Sequence, residues 1–480
     1  MRQPDLEIRT PTPAADARHG MLARRALLKI SSLSLGAIAM ESLLADEPLG
    51  REAGAGMPMQ HAPRARHVIY VHLAGGPSQV DLLDPKPMLA KYDEQPLPES
   101  VRAGKQFAFI APDSKVMASP YRFAPRGQCG TEMSDLMPRL GDLADEITVV
   151  RSMVTSEFSH GAAEMFMLSG HARIGRPTFG AWVSYGLGKL NDNLPSYVVL
   201  TNGKPFSGTS SWGSGFLPSR HQGVEFRNGG SPIQYLADPA GITRQDREDV
   251  LATVNAINRH SLSTIGDPEI ATRIAQYELA GRMQRSVPEL SRLDDEPCDV
   301  LEDYGATGDK PSLGRNCLLA RRLIERGVRF VQIFDSGWDH HTNIHKSYPI
   351  RVPAMDRAVG ALLRDLKRRG LLDQTLVVWG GEFGRTPMVQ LAKSGDVGRD
   401  HHRDAFSMFV AGGGVRRGHV HGATDDFCMT VSEGPVSVHD LHATLLHLLG
   451  YDHERLVFRH QGRDFRLTDV AGRVVKEILA

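Results

Sequence analysis

The sequence predicts an α/β fold, in which a mostly parallel central sheet carries helices on both faces. Two observations support this prediction. Six short runs of β-branched and aromatic residues are bounded by turn-forming residues, as central strands are. Amphipathic helical segments separate several of these runs, and such alternation is typical of parallel strands covered on both sides. The predicted strands span residues 67–73, 147–151, 196–200, 328–334, 375–379 and 406–411.

Three of the intervening segments have clear helix start or stop signals. Ser312 is placed to cap a helix that runs to Gly327, and a second helix is predicted from about 352 to 369. A third, spanning 437–449, opens with Ser437 and Asp440 in the spacing of a capping box. Because these helices lie between or after predicted strands, they are expected to cover the sheet.

The stretch from about 201 to 304 breaks this alternation. It begins with loops rich in glycine and serine and continues with two polar helical runs, near 243–257 and 269–283. We interpret it as a helical and loop insertion beside the sheet.

Charge and cysteine content exclude several classes of partner and site. Lys plus Arg and Asp plus Glu number 56 each, so no net positive field attracts nucleic acid or anionic lipid. The four cysteines lie far apart without a CxxC spacing, which argues against a cysteine-based zinc site.

The N-terminal residues have the pattern of a targeting signal. Arg24 and Arg25 precede a leucine pair, Lys29 and a mildly apolar stretch to Met40, which is typical of a twin-arginine signal. That stretch is far shorter than the roughly 20 residues of a spanning helix, so no transmembrane segment is expected in the mature protein. We predict a signal peptide at 1–45, a linker at 46–65 and one domain at 66–478. The expected location is the periplasm, or another site outside the cytoplasm, reached through the twin-arginine translocase.

Metal-binding side chains concentrate after the strand at 328–334. Ligands of open α/β sheets bind beyond the carboxyl ends of the strands, and here Asp339, His340, His341 and His345 follow such an end. These nitrogen and oxygen donors suit a divalent ion, with zinc or manganese the expected metal. The alternative is a polar loop whose histidines cap helix ends or face water.

Further polar residues follow the strand at 375–379. Gly380 and Gly381 allow a tight turn that places Glu382 at the strand end. The planar guanidinium of Arg385 could bind an oxyanion through two hydrogen bonds. The alternative is a Glu382–Arg385 salt bridge that stiffens the loop. His401 lies in a donor-rich segment, 398–404, which leads into the last predicted strand.

Two earlier loops contribute weaker candidates. Gly75 and Gly76 after the first strand have backbone N–H groups that can cradle an anion, and Asp81 follows. Ser159 and His160 open a helix after the second strand, and a helix N-terminus suits an anion or a nucleophile. The alternative is that Ser159 is a simple helix cap.

These motifs, in this order, resemble the domain of unknown function 1501 family over residues 65–475. That family in turn resembles a branch of the alkaline phosphatase, phosphoglycerate mutase and sulfatase superfamily. The matching motifs are Gly75-Gly76-Pro77-Ser78 with Asp81 and Asp84, Ser159-His160 through Ser169-Gly170, Gly337-Trp338-Asp339 with His341, Gly381 to Pro387, Gly398 to His401, and Ala411 to Val415.

The resemblance implies an alkaline phosphatase-like fold and a metal-binding site, but the sequence departs from the superfamily pattern. His160, with Ser159 beside it, stands where the superfamily nucleophile opens its helix, and Glu382 and Phe383 replace the usual Asp-His pair. The second departure removes one imidazole. The metal ligands implied by position are Asp81, Asp339, His341, Glu382 and His401.

Two functions remain open at this stage. The first is an exported metal-dependent hydrolase of phosphate or sulfate esters, acting on a small-molecule or polysaccharide-derived ester. In that case an activated water or Ser159 attacks, His160 acts as general acid or phosphate-accepting nucleophile, and Arg385 stabilises developing charge. The alternative is a non-catalytic exported binding or assembly protein that retains the sulfatase-like fold.

Overall fold

A computed structural model describes residues 56–227, 232–233, 241, 243–308, 310–393 and 395–480. The predicted signal peptide and the first part of the linker lie outside the described residues. The chain divides into two units, and the larger comprises Ala53–Val457 and Arg466–Ala480. The described part of the smaller unit, Phe458–Phe465, contains one antiparallel strand pair.

Buried runs of apolar residues form the strands that the sequence predicts, and further strands lie outside those runs. All eight residues of the first strand are buried, as expected for a strand covered on both faces. The strands are β1 His67–Ala74, β2 Phe123–Arg126, β3 Thr131–Ser134, β4 Ile147–Val154, β5 Tyr197–Asn202, β6 Val224–Phe226, β7 Phe330–Ser336, β8 Thr375–Gly380, β9 Gly384–Leu391, β10 Val397–His402, β11 Phe406–Ala411, β12 His419–His421, β13 Ala423–Thr424, β14 Val431–Glu433, β15 Val436–Ser437, β16 Phe458–His460 and β17 Arg463–Phe465.

Nine of these strands form the central sheet, in the order β12-β4-β11-β8-β1-β7-β5-β6, with β15 also pairing with β4. Within it, only the two pairings of β11, with β4 and β8, are antiparallel. The other pairings are parallel. The prediction of a mostly parallel sheet is therefore confirmed.

The described helices range from single turns to elements of 25 residues. They are α1 Gln79–Leu82, α2 Pro87–Lys91, α3 Glu99–Arg102, α4 Pro138–Gly141, α5 His160–Ser169, α6 Phe179–Leu187, α7 Arg244–Ile265, α8 Pro268–Ser291, α9 Cys298–Tyr304, α10 Leu313–Glu325, α11 Ile344–Arg368 and α12 Val438–Leu448. In the part of the chain that the structure describes, no helix combines the length and apolarity needed to cross a bilayer.

Helices cover both faces of the sheet. On one face, alternate residues of β1 and β7 join a core cluster with the apolar stripes of α10 and α11. On the other face, Phe330 of β7 packs edge-on against Phe179 of α6 and against Tyr197. Alternate side chains of β7 therefore point into the apolar cores on opposite faces of the sheet, which explains why both faces of this strand are apolar.

Two predicted segments differ from the observed elements. Helix α11 begins at Ile344, eight residues before the predicted start, and it contains both Pro349 and Pro353. In the predicted insertion, α7 starts with a capping box at Thr243 and α8 extends to Ser291. Val287 and Leu290 of α8 join the core cluster, so this helix is packed into the domain.

The ends of three central strands are level, and this positions the functional residues. Leu73 of β1 pairs with Asp335 of β7, and His72 pairs with Gly380 of β8. The loops after β1, β7 and β8 consequently leave the sheet side by side. Since β11 runs antiparallel to β8, the β9–β10 hairpin that precedes β11 reaches the same edge.

Candidate metal centre

Four side chains converge at this edge of the sheet. One ligand atom from each of His160, Asp339, His341 and His401 lies within 4.8 Å of the others. The Nε2 atoms of His341, His160 and His401 lie 3.0, 3.1 and 3.5 Å from Oδ1 of Asp339. Donors bound to one zinc at 2.0–2.2 Å in a tetrahedron are about 3.3–3.6 Å apart. Within this four-donor group, the separation from His401 matches this spacing, and those from His341 and His160 are 0.2–0.3 Å shorter than its lower limit.

The four donors come from three separate segments. Asp339 and His341 follow β7, His401 lies in β10, and His160 opens α5. At Gly398 an added Cβ would come within 2.1 Å of the His341 carbonyl carbon, so β10 packs directly against the loop after β7. At Gly75, whose φ is +123°, a Cβ would lie 2.3 Å from the amide nitrogen of Asp339. Only glycine allows these two close approaches, which explains the glycines at both places.

Each imidazole is held by its other ring nitrogen. Nδ1 of His401 donates to the carbonyl of Phe158 at 2.6 Å. Nδ1 of His160 is 2.6 Å from Oε1 of Glu382, and Nδ1 of His341 is 2.6 Å from Oε1 of Gln390. Because the partners are acceptors, each Nδ1 carries the proton and each Nε2 keeps a lone pair directed at the centre. Metal-binding histidines are oriented in this way.

The Nε2 atoms of His160 and His401 are buried and have no hydrogen-bond partner. A buried polar atom without a partner costs free energy, about 1–3 kcal/mol, unless a ligand satisfies it. A divalent ion within the four-donor group would satisfy both nitrogens, so the residues present fit a metal.

The charges around Asp339 favour its ionised form. Burial alone would raise its pKa, but the three imidazoles and the nearby Arg385 outweigh that effect and hold the pKa well below its usual range. For His401, burial and the positive charge of Arg385 lower the pKa despite its contact with Asp339. An ionised carboxylate and a neutral imidazole are the forms that bind metal.

His160 differs from His401 in its electrostatic surroundings. Burial lowers its pKa, but the contacts with Asp339 and Glu382 more than compensate, and the net pKa is raised. Metal binding at His160 therefore competes with a proton.

Glu382, predicted as a ligand, lies behind the four donors and not among them. Its side chain is fully buried and accepts hydrogen bonds from the Gly75 amide at 3.0 and 3.2 Å. The carboxylate thus orients His160 and fixes the turn after β1.

Asp81, also predicted as a ligand, lies outside the four-donor group as well. Arg399 contacts both of its oxygens, at 2.8 and 3.1 Å, and Ser78 donates to it at 2.5 Å. Both members of this ion pair are completely buried. Both oxygens of the Asp81 carboxylate are therefore occupied by Arg399. This ion pair connects β10 to the segment that follows β1.

Arg385 is fully buried and its guanidinium is engaged by the protein itself. It donates to the carbonyl oxygens of Gly76 at 2.9 Å and Arg399 at 3.0 Å, and also to that of Gly75. Nη2 lies 2.6 Å from Oδ1 of Asp339. The sequence left open whether Arg385 binds an oxyanion or forms a salt bridge with Glu382. In the structure Arg385 forms a salt bridge, but its partner is Asp339.

Ser159 and His160 have separate places at the start of α5. Ser159 occupies the N-cap position, is exposed, and makes no side-chain capping bond. The next residue, His160, enters the four-donor group. The structure therefore places the imidazole, and not the hydroxyl, beside Asp339.

Exposed aromatic rings border the four-donor group. Phe206, 46% exposed, stacks on His160 with 4.1 Å between ring centroids. Phe109, 66% exposed, stands edge-on to both His341 and His401 at 5.3 Å. Asp400 accepts the backbone amides of Phe109 and Ile110, which holds this segment in place. Exposed apolar surface at the mouth of a polar site is typical of ligand binding.

Solved structures that resemble this one include sulfatases and phosphatases at low similarity. The PsFucS1 sulfatase from Pseudoalteromonas sp. is 14% identical, with a TM-score of 0.36 over 82% of this chain and 69% of that chain. The phosphonate monoester hydrolase SpPMH from Silicibacter pomeroyi is 12% identical, with a TM-score of 0.34 over 86% and 76%. A mutant TAB5 alkaline phosphatase is 12% identical, with a TM-score of 0.30 over 73% and 92%.

None of the curated proteins is significantly similar in sequence to this chain. A family model described as protein of unknown function (DUF1501) matches residues 65–479, nearly the span over which the motifs resemble that family. The chain belongs to the DUF1501 family.

Proposed function

We propose that this protein is a metal-dependent hydrolase of phosphate or sulfate esters. The observation that carries the proposal is the set of three imidazole Nε2 atoms, each held through its Nδ1, around one carboxylate oxygen. A donor set of three nitrogens and one oxygen suits zinc or manganese.

The four-donor group is accessible to a substrate. The side chain of Asp339 is 32% exposed and that of His341 is 25% exposed. Structural metal sites are usually closed, whereas catalytic sites keep a position open for water or substrate. The exposure on this side therefore supports catalysis over a purely structural ion.

The roles of the residues follow from their contacts. A bound divalent ion supplies a Lewis acid and an activated water for ester cleavage. Asp339 and the three histidines would hold it, while Glu382 keeps His160 in the tautomer that binds metal. Phe109 and Phe206 contact the histidines of the four-donor group, and such exposed aromatic rings suit the organic part of a small-molecule or polysaccharide-derived ester. We favour water as the attacking group, because Ser159 lies outside the four donors.

The test combines metal analysis with assays on aryl phosphate and aryl sulfate esters. Wild-type protein should contain metal and cleave at least one ester. His341→Ala should lose most of the metal in the four-donor group and the activity, with little change in thermal unfolding, because the residue is on a loop. His345→Ala is the matched control, since this nearby histidine is not among the four donors.

A binding or assembly role is the second candidate, and the presence of His160 where the superfamily has its nucleophile favours it. Wild-type protein that holds metal at the four-donor group but cleaves neither class of ester would overturn the hydrolase proposal in favour of this one.

We also propose export through the twin-arginine translocase to the periplasm. The support is the pattern around Arg24 and Arg25, which precedes the described residues. Replacing both arginines with lysine should retain the precursor in the cytoplasm, as measured by fractionation. Normal export of this variant would contradict the proposal.

A further inference from the structure

A cavity of about 550 Å³ lies beside the four-donor group, and none of the roles described above involves it. Its charged lining residues are Lys105, Arg403 and Asp404, and Gln106 and Thr430 add polar groups. The rest of the lining is glycine, valine and proline. Small-molecule sites usually have volumes of roughly 300–1,000 Å³ and combine apolar walls with a few polar groups. The cavity therefore has the size and the lining of a ligand site.

The cavity shares two chain segments with the four-donor group. Residues 104–106 line the cavity, and Phe109 of the same segment stands edge-on to His401. On the other segment, Arg403 follows His401 by two positions, and its guanidinium carbon lies 4.9 Å from the ring centroid of Phe158. The carbonyl of Phe158 in turn accepts the hydrogen bond from Nδ1 of His401. The cavity and the four-donor group therefore adjoin each other.

The two cations of the lining have no carboxylate at hydrogen-bond distance. Lys105 is half-buried and, in the part of the chain that the structure describes, forms no ion pair. Nε of Arg403 lies 3.7 Å from Oδ1 of Asp404, which is longer than the roughly 2.7–3.2 Å of a hydrogen bond. Nη1 and Nη2 of Arg403 donate to neutral oxygens, the Ser156 carbonyl at 3.2 Å and Oε1 of Gln106 at 3.4 Å. The lining thus carries two positive charges against one negative charge, which favours an anion.

The surroundings of the cavity also suit a sugar. Among the described residues, the exposed phenylalanines are Phe109, Phe158 and Phe206, and all three contact histidines of the four-donor group. Phe158 is 40% exposed and has Arg403 over its ring. Exposed aromatic rings beside a few polar groups are typical of sites that bind molecules with both apolar and polar surface. A saccharide with an acidic substituent has apolar ring faces and a negative charge, so it matches both features.

We propose that this cavity binds a carboxylate or sulfate group of an acidic saccharide. The planar guanidinium of Arg403 suits the paired oxygens of either anion, and Lys105 adds a second positive charge. The exposed phenylalanines accommodate the sugar rings. That this saccharide is the substrate rests on the proposed function, whereas binding of its anionic group at the cavity does not.

Isothermal titration calorimetry of the full-chain, metal-loaded protein with three saccharides tests the proposal. Trigalacturonate carries carboxylates and no ester bond, sulfated maltotriose carries sulfates, and maltotriose is neutral. At low salt the wild type should bind an anionic saccharide more tightly than maltotriose, and the tighter of the two identifies the preferred group. Lys105→Gln and Arg403→Gln should each weaken that binding roughly tenfold, because each removes one charge-assisted contact. Lys91→Gln is the matched control and should bind as the wild type does, since Lys91 is exposed and lies outside the cavity.

The His341→Ala variant separates the cavity from the four-donor group. It should retain the preference for the anionic saccharide, because Lys105 and Arg403 are unchanged. Loss of the preference in this variant would overturn the proposal, since the anion would then bind at the metal. Equal affinities of the wild type for all three saccharides, or unweakened binding by folded Lys105→Gln, would overturn it too and leave the hydrolase proposal standing. A wild type that keeps the preference but cleaves no ester would instead refute the hydrolase and leave the anion site intact.

Discussion

Replacing Asp81 with asparagine should destabilise the fold and leave the metal of the four-donor group in place. In the native protein Asp81 and Arg399 form a two-contact ion pair with no exposure on either side. Asparagine has nearly the same shape but no charge. The variant therefore buries the Arg399 guanidinium without an anion.

The magnitude follows from these contacts. Removing one member of a buried ion pair costs about 3–5 kcal/mol, because the remaining charge is desolvated and uncompensated. The asparagine oxygen still accepts one hydrogen bond, and Arg399 still donates to the carbonyls of Met117 and Thr386. We therefore expect the lower end of the range, about 3 kcal/mol.

Urea unfolding followed by circular dichroism measures this loss, and metal content is measured on the same samples. Asp113→Asn is the control, because Asp113 is exposed and should change the free energy of unfolding by less than about 0.5 kcal/mol. The double variant Asp81→Asn/Arg399→Met should lose less stability than the sum of the two single variants. Loss of metal at unchanged stability would refute this reasoning and make Asp81 a ligand.

The pH dependence of the same variant has a defined sign. Burial raises the pKa of Asp81, but Arg399 and the hydrogen bond from Ser78 outweigh burial, and the net pKa is lowered. A group with a lowered folded pKa stabilises the protein above its unfolded pKa, about 3.9, and loses that contribution as the pH falls through the folded value. The difference in stability between wild type and Asp81→Asn should thus be constant near neutral pH and shrink in acid.

Three further predictions concern the metal centre. Gln390→Ala frees the His341 ring and should weaken metal binding about 10–100-fold in a chelator competition, and unchanged affinity would show that this contact is unimportant. Ser159→Ala should keep most of the esterase activity, whereas a complete loss would identify the hydroxyl as the nucleophile. Arg385→Lys should lower the free energy of unfolding by about 2–4 kcal/mol, because lysine cannot make the four contacts of the buried Arg385 guanidinium. Reduced turnover at unchanged stability would instead support a role for Arg385 at the substrate.

Features that depend on neighbouring residues in the chain were predictable. The runs at 67–73 and 406–411 became β1 and β11 almost residue for residue, because β-branched and aromatic residues in a row favour buried strands. The rule that ligands bind beyond the carboxyl ends of strands indicated the loop with Asp339 and His341, whereas grouping these residues with His401 followed from the family resemblance.

Features that depend on distant contacts were not predictable in this way. His72 looks like part of an apolar strand, and Glu164 like a polar residue of a helix, until the fold buries them beside Glu382. The pairing of Asp81 with Arg399 spans 318 positions, and no local pattern indicates it. The β9–β10 hairpin was missed for a related reason, since its residues alternate too little to resemble a strand pair.

The tight packing at Gly398 and Gly75 has a consequence for which ions the protein can accept. The backbones that carry His341 and Asp339 are each pressed against a neighbouring segment at a place where even a methyl group does not fit. A side chain at either glycine would push these segments apart and change the spacing of the four donors. Calcium takes six to eight oxygen ligands at about 2.3–2.6 Å, which demands a wider and more flexible cage. The proposed metal centre, with three imidazole nitrogens and one carboxylate oxygen, therefore suits zinc or manganese better than calcium.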